Sequence, residues 1–180
     1  MKIACIGWGS LIWNSGVLKI RNKWYEDGPI LPIEFSRISD DVRVTLIIDK
    51  AGTPVRTLWA LMTSNNLTTA IDSLKERENV KKDDIIQSVL ATDRNKDEIR
   101  SVLIKWLKTK QLDAAIWTGL SFSKKTDFKR PSIDFILNHL KNTLDYNARN
   151  VAEEYIRKAP KQIDTEYRRK IELEFGWIPT

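Results

Sequence analysis

The sequence predicts an α+β protein, because strand-like segments fill the first half of the chain and helix-like segments fill most of the second half. β-branched and apolar residues dominate residues 42–49, whereas apolar residues recur at helical spacing in residues 99–107 and 133–140. With 180 residues, of which 42% are apolar, the chain is also long enough to enclose a hydrophobic core.

Strands are predicted over residues 2–7, 32–39, 42–49 and 55–62. The turn-forming run Asp49-Lys50-Ala51-Gly52 joins the last two of these strands, which predicts a hairpin. A helix follows, capped by Ser64 or Asn65 and ending near Arg77.

The remaining elements follow from apolar spacing and from the positions of capping residues. A second helix is predicted to begin at Asn95 or Asp97, and residues 112–120 are predicted to form a buried strand. Three more helical segments begin at Pro131, Val151 and Thr165. Because no repeat or low-complexity linker interrupts the chain, we expect one domain over residues 1–180, with a core over about 1–122 and a helical C-terminal part over about 131–176.

A glycine-rich run directly follows the first predicted strand, and it reads Gly7-Trp8-Gly9-Ser10-Leu11-Ile12-Trp13. Glycine accepts unusual backbone angles and allows a ligand to approach the main chain closely. A strand that ends in such a turn directs several backbone N–H groups to one point, which favours an anion. Neither the phosphate-binding P-loop nor the complete dinucleotide fingerprint is present. A simple tight connection is the alternative interpretation.

The same run resembles the glycine-serine loop of the γ-glutamylcyclotransferases, and Gly-Ser-Leu-Ile-Trp-Asn over residues 9–14 looks especially like their ChaC-type, glutathione-specific branch. Gly9, Ser10, Leu11 and Asn14 match the family pattern, whereas Trp8 stands where the family usually has tyrosine. The resemblance implies a substrate-binding loop that holds the γ-glutamyl group, formed by Gly7, Trp8, Gly9, Ser10, Leu11 and Ile12.

A second motif lies at the end of the first predicted helix. The run Leu74-Lys75-Glu76-Arg77-Glu78-Asn79 resembles the family segment in which the catalytic glutamate directly precedes a glycine, so the resemblance implies that Glu78 is catalytic. Asn79 replaces that glycine, and asparagine is among the few residues that accept a left-handed backbone angle at a helix end. A solvated surface charge is the alternative for Glu78, and Glu76, on another side of the helix, is the competing carboxylate.

The resemblance covers roughly the first 120 residues and implies a small mixed β-barrel with helices packed around it. It also implies a reaction without cofactors: the α-amino group of a γ-glutamyl compound attacks its own γ-carbonyl, which yields 5-oxoproline and an amine or amino acid. Arg37 is predicted to pair with a substrate carboxylate, with an ordinary surface salt bridge as the alternative. A catalytically inactive small-molecule-binding homologue on the same fold is the competing functional hypothesis.

Composition argues against several other classes of protein. Cys5 and His139 are the only cysteine and histidine, which disfavours zinc and thiol chemistry. The chain shows neither a bilayer-spanning apolar run nor a signal-peptide pattern, so we expect a cytoplasmic protein without a membrane partner.

Basic residues such as those at 168–170 contribute to a net charge of +6, but acidic residues lie among them. This mixture predicts a solvated surface, and a nucleic-acid-binding module is the third hypothesis. The sequence leaves the oligomeric state open.

Overall fold

The computed structural model describes residues 1–21, 23–80, 85–95 and 97–180. The seven strands among these residues are β1 (Ile3–Gly7), β2 (Ile30–Ile38), β3 (Val44–Ile48), β4 (Thr53–Arg56), β5 (Leu58–Leu61), β6 (Ile86–Leu90) and β7 (Ala114–Thr118). The five α-helices in the same ranges are α1 (Leu67–Glu78), α2 (Glu98–Lys110), α3 (Ile133–Asn138), α4 (Tyr146–Lys158) and α5 (Glu166–Phe175). The predicted α+β class is therefore confirmed.

The chain forms two compact units that alternate along the sequence. The first unit consists of Met1–Gly7, Asn14–Leu31 and Arg56–Gly119, and the second consists of Trp8–Trp13, Pro32–Val55 and Leu120–Thr180. This division does not coincide with a core that ends near residue 122, because the second unit combines most of the glycine-rich run with the C-terminal helices. The single domain stays a prediction.

The first unit is built on a four-stranded sheet in the order β5-β1-β7-β6. The first strand, β1, lies inside this sheet, antiparallel to β5 and parallel to β7, and all five of its residues are buried. An interior strand covered on both faces requires a continuous apolar run, which explains why residues 3–6 read Ile-Ala-Cys-Ile. Both α1 and α2 pack against β6 and β7.

Helix α1 shows how the local sequence sets the two ends of an element. Its N-cap is Asn66, whose side chain accepts a hydrogen bond from the Thr69 N–H at 3.0 Å. The predicted caps, Ser64 and Asn65, are therefore wrong by one or two residues, since the Ser64 hydroxyl accepts from the Asn66 N–H and forms a turn before the helix. The predicted cap of α2 at Asp97 is confirmed by its bond from the Arg100 N–H.

The segment predicted as one strand over residues 55–62 divides at Thr57 into β4 and β5. The Thr57 N–H and hydroxyl both donate to the Pro29 carbonyl, at 3.0 and 2.7 Å, and the Thr57 carbonyl accepts from the Gly28 N–H at 3.1 Å. Because these groups bond to residues 28–29, the two strands join different sheets. The predicted hairpin of residues 42–49 with residues 55–62 is therefore wrong.

The second unit contains a three-stranded sheet in the order β3-β2-β4. The long strand β2 is antiparallel to β3, and their register shifts between Glu34 and Arg37, as expected for a β-bulge. Helix α4 packs on β3, and α3 packs on α5. Both sheets formed by the described residues are open, so the closed barrel implied by the resemblance is not found there.

A buried arginine on α5 forms hydrogen bonds with the end of α4 and the residues that follow it. The Arg168 side chain is 1% exposed and lies within hydrogen-bond distance of four main-chain carbonyls, at 2.7–3.3 Å, those of Ile156, Ala159, Pro160 and Ile163. Its Nε also lies 3.1 Å from a Glu172 carboxylate oxygen. These contacts satisfy carbonyls at and beyond the end of α4, which has no later helical turn to bind them. Across the described ranges, no helix is long and apolar enough to cross a bilayer.

Candidate active site

Glu78 is the last residue of α1, and its side chain is only 15% exposed. Glu76, the competing carboxylate, is exposed. The helix stops directly after Glu78 because Asn79 adopts the left-handed conformation, with φ 51° and ψ 41°. The Asn79 N–H then bonds to the Glu76 carbonyl at 3.2 Å, and the Val80 N–H bonds to the Lys75 carbonyl at 3.1 Å. The predicted backbone geometry of Asn79 is therefore confirmed.

The surroundings of the Glu78 carboxyl favour its protonated form. Burial raises the pKa of Glu78 above its ordinary value, while the Arg77 guanidinium, 2.7 Å from Glu78 Oε1, acts in the opposite direction. The same carboxylate lies close enough to Cys5 to help burial raise the pKa of that thiol. A partly buried carboxyl with a raised pKa is able to accept a proton and return it.

Arg77 connects this carboxylate to the end of the glycine-serine motif. Its Nε and Nη2 donate to the Asn14 carbonyl at 3.2 and 2.7 Å, while its Nη1 donates to Glu78. Asn14 is the final matching residue of the loop motif, and it belongs to the same unit as Glu78. One guanidinium therefore contacts both Glu78 and Asn14.

The preceding loop residues, Trp8–Trp13, belong to the second unit. The Ile12 N–H bonds to the Gly9 carbonyl at 3.0 Å, which closes a turn. The backbone φ of Gly9 is not positive, so a left-handed backbone angle does not explain glycine at this position. The space available for a side chain does. A Cβ at Gly9 would lie 2.7 Å from the Tyr155 hydroxyl oxygen, closer than Cβ atoms approach other atoms in proteins. Close approach of a side chain, and not an unusual backbone angle, explains this glycine.

Trp8, at the position where the motif that it resembles has tyrosine, is packed inside the protein. The side chain is buried, and its indole N–H donates to the Leu46 carbonyl on β3 at 3.3 Å. Its polar group therefore already has a partner in the protein, so a substrate would meet Trp8 through its ring or its main chain. Ser10 and Ile12 are half-buried and Leu11 is buried, and both Ser10 and Leu11 already interact with other parts of the chain.

Tyr155 on α4 is a candidate functional residue that the sequence analysis missed. Its ring packs edge-to-face against Trp13 and Phe35, with centroid distances of 5.3 and 6.4 Å, and its hydroxyl lies over Gly9. In the sequence it belongs to the ordinary apolar face of an amphipathic helix, together with Ala152 and Ile156. The one feature of the sequence that points to Tyr155 is its hydroxyl group, since the other buried residues of this helix are apolar.

Arg37, the predicted carboxylate partner, is half-buried on β2 just after the bulge. Its main-chain carbonyl accepts a hydrogen bond from the Thr45 hydroxyl at 3.3 Å. The ordinary salt bridge proposed as the alternative is not found, since the Arg37 guanidinium has no ion pair with any residue that the structure describes. A role of Arg37 in binding a substrate stays a prediction.

The residues considered for other chemistry are accounted for by packing. Cys5 is fully buried in β1, as expected for a small apolar side chain. His139 is buried, and its Nε2–H donates to the Val42 carbonyl at 2.7 Å. In residues 1–21, 23–80, 85–95 and 97–180, no three cysteine, histidine or acidic side chains come together as a metal site would require.

Comparisons of this chain with models of known families, with curated proteins and with solved structures gave no match. The functional conclusion therefore depends on the chemistry of the described residues and on the two sequence motifs. Among the two candidate carboxylates of α1, Glu78 is the mostly buried one, and burial raises its pKa although Arg77 partly offsets this effect.

Proposed function

We propose that this protein is a γ-glutamylcyclotransferase-like enzyme that uses Glu78 as its acid–base catalyst. The observation that supports this proposal best is a mostly buried carboxyl with a raised pKa, held by Arg77 at the position that the family motif gives to its catalytic glutamate. Structural carboxylates in soluble proteins are usually solvated, so this combination favours a chemical role.

The reaction needs two proton transfers at neighbouring atoms. The α-ammonium group of the substrate must release one proton to solvent before its nitrogen can attack the γ-carbonyl carbon. The attacking nitrogen must then lose a second proton as the ring closes, and the leaving amine must gain one when the original C–N bond breaks. One carboxylate performs both transfers in turn, and it is unchanged after each cycle. A raised pKa makes Glu78 a stronger base for the first transfer than an ordinary solvated glutamate.

The loop of residues 7–12 is proposed to hold the γ-glutamyl group, with Gly9 and Ser10 at its centre. Replacing Gly9 with valine should abolish ligand binding, because the new side chain would displace the Tyr155 hydroxyl and occupy the space above the loop. Replacing Ser10 with alanine should weaken binding by about 0.5–1.5 kcal/mol, the contribution of one neutral hydrogen bond. Calorimetry with a γ-glutamyl dipeptide measures both effects, and circular dichroism checks the fold. Unchanged affinity in both variants would reduce the loop to a connection.

Removing the charge of Arg77 should move the pH dependence of the reaction to higher pH. The active base is ionised Glu78, so the rate should rise with pH through the pKa of this group. The Arg77 guanidinium favours the ionised form, and the Arg77→Met variant should therefore raise the pKa of Glu78 further. The profile of kcat/KM against pH measures this shift, and Arg77→Lys, which keeps the charge, is the matched control. An acid limb that stays in place or moves to lower pH contradicts this account of Glu78.

The proposed activity is tested by incubating the purified protein with glutathione, γ-glutamyl dipeptides and γ-glutamylamines, without added metal or nucleotide. We expect mass spectrometry to detect 5-oxoproline from at least one of these compounds. If a compound binds but no compound is converted, the protein is a binding homologue and the catalytic proposal fails. The proposal includes a cytoplasmic location, as expected from the single buried cysteine.

A further inference from the structure

The turn between β2 and β3, residues 39–43, is held in a strained conformation. Val42 has a φ of 61°, which is unfavourable for a β-branched residue. The Val42 N–H bonds to the Ser39 carbonyl at 3.0 Å, and the Val42 carbonyl accepts from buried His139 at 2.7 Å. Lys125 also donates to the Asp40 carbonyl at 2.9 Å. Strain of this kind persists where the surroundings fix it, and it is common at functional sites.

This turn presents the side chain of Arg43, in which one buried hydrogen-bond donor, Nε, has no acceptor among the described residues. The Arg43 Nη2 lies 2.6 Å from an Asp41 carboxylate oxygen, so one side of the guanidinium is already paired. The Arg43 Nε, in contrast, is buried and has no hydrogen-bond acceptor among the described residues. A buried N–H without an acceptor is costly and rare in folded proteins, and one explanation is a ligand that supplies the acceptor.

Tyr155 places this donor close to the glycine-serine loop. The Arg43 guanidinium carbon lies 5.7 Å from the centre of the Tyr155 ring, within the range of a cation–π contact. The hydroxyl of the same ring lies over Gly9, and the ring packs against Trp13. All of these residues belong to the second unit, so one side chain connects Arg43 with the loop.

We propose that Arg43 binds the α-carboxylate of the γ-glutamyl group, with its Nε–H as the donor. This inference rests on the proposed function, because that function defines the substrate. The α-carboxylate is the one negative charge common to all γ-glutamyl compounds, and the carbon that carries it also carries the attacking amine. Arginine suits this task because its planar guanidinium donates charge-assisted hydrogen bonds to carboxylates. The strained turn positions Arg43, while Asp41 occupies Nη2 and leaves Nε available.

The experiment compares two ligands, a γ-glutamyl dipeptide and the same compound with its α-carboxylate converted to a carboxamide. Calorimetry in the Glu78→Gln background measures binding without turnover. We expect this protein to prefer the carboxylate by about tenfold or more, as a charge-assisted hydrogen bond replaces a neutral one. Adding Arg43→Met should reduce the preference to less than about twofold, whereas adding Arg169→Met should preserve it. Arg169 is a matched control because it is an exposed arginine of the same unit, paired with Asp164.

Two further variants separate the outcomes. Asp41→Asn should tighten binding of the carboxylate ligand, since it removes the acid that competes for the Arg43 guanidinium; weaker binding would overturn the inference. Loss of the preference in Arg37→Met, with its retention in Arg43→Met, would also overturn it and assign the carboxylate to Arg37. If Arg43→Met does not fold, Asp41→Asn still decides the question. If neither ligand binds to the background protein, the proposed function itself fails and the inference fails with it.

Discussion

Replacing Glu78 with glutamine should lower the turnover of a γ-glutamyl substrate by about 10²-fold or more, the usual contribution of a general acid–base group. Glutamine has the same shape as glutamate, and its carbonyl oxygen can still accept the hydrogen bond from Arg77. It cannot take up the proton of the attacking amine, so both proton transfers are lost. Substrate affinity and the fold should change little. Steady-state kinetics gives the turnover, while calorimetry and circular dichroism check binding and structure.

The matched control for this variant is Glu76→Gln, two residues earlier on the same helix. It removes the same charge, but Glu76 is exposed, so turnover should stay within about twofold of the wild-type value, as for most surface substitutions. If the Glu76 variant is inactive and the Glu78 variant is active, the catalytic carboxylate has been assigned to the wrong residue. If both variants keep full turnover, another group performs the chemistry.

Replacing Arg168 with methionine should lower the free energy of unfolding by about 3–5 kcal/mol, the range seen when one partner of a buried charged network is removed. Methionine fills a similar volume but donates no hydrogen bonds, so it would leave main-chain carbonyls of residues 156–163 without their buried donor. The Glu172 carboxylate would also lose its ion pair. Urea denaturation followed by circular dichroism measures the loss.

Arg169 again provides the control, because it follows Arg168 directly and is about half exposed. The Arg169→Met variant should change the free energy of unfolding by no more than about 0.5 kcal/mol, as surface substitutions usually do. Equal destabilisation by the two variants would show that charge in this helix, and not the buried contacts of Arg168, determines stability. The Arg168→Lys variant keeps the charge but not the planar guanidinium, so its stability should fall between those of the methionine variant and the wild type.

The parts of the fold that the sequence predicts correctly are those decided by neighbouring residues. Asp97 caps α2 through the N–H three residues later, and Asn79 ends α1 because its own backbone accepts a left-handed angle. The apolar run at the start of the chain predicts a strand over residues 2–7, and β1 lies there. In each of these cases the deciding interaction lies within a few residues of the chain.

The pairing of strands that lie far apart in the sequence cannot be predicted from neighbouring residues. The hairpin of residues 42–49 with 55–62 is locally reasonable, but bonds from Thr57 to residues 28–29 divide the second strand. Strand β6 is not predicted, because Ile-Gln-Ser-Val-Leu lacks both a continuous apolar run and a strict alternation of apolar and polar residues. Its place in the sheet depends on its antiparallel pairing with β7. Tertiary contacts therefore override the local pattern in both places.

In the candidate site, too, the sequence does not predict which side chains contact each other. The motif identifies Glu78, but the pairing of Glu78 with Arg77 depends on the way the helix ends at Asn79. Tyr155 and Gly9 touch although they lie far apart in the sequence, so no local pattern connects them. Arg168 belongs to a basic run that predicts a solvated surface, and this prediction is wrong for Arg168 because it is enclosed by carbonyls. Charge in a sequence does not distinguish a solvated cation from a buried one.

The position of Cys5 gives the protein a natural probe of its own local unfolding. The thiol is fully buried in β1, where Cys5 lies opposite Ala60 on one neighbouring strand and Ile116 on the other. Alkylating reagents attack the ionised thiol, and burial both raises the pKa of this group and excludes the reagent. Modification therefore requires β1 to separate from its neighbours, and its rate reports how often the sheet opens. A fluorophore attached to a cysteine introduced on the surface would accordingly label one position, with Cys5 left in place.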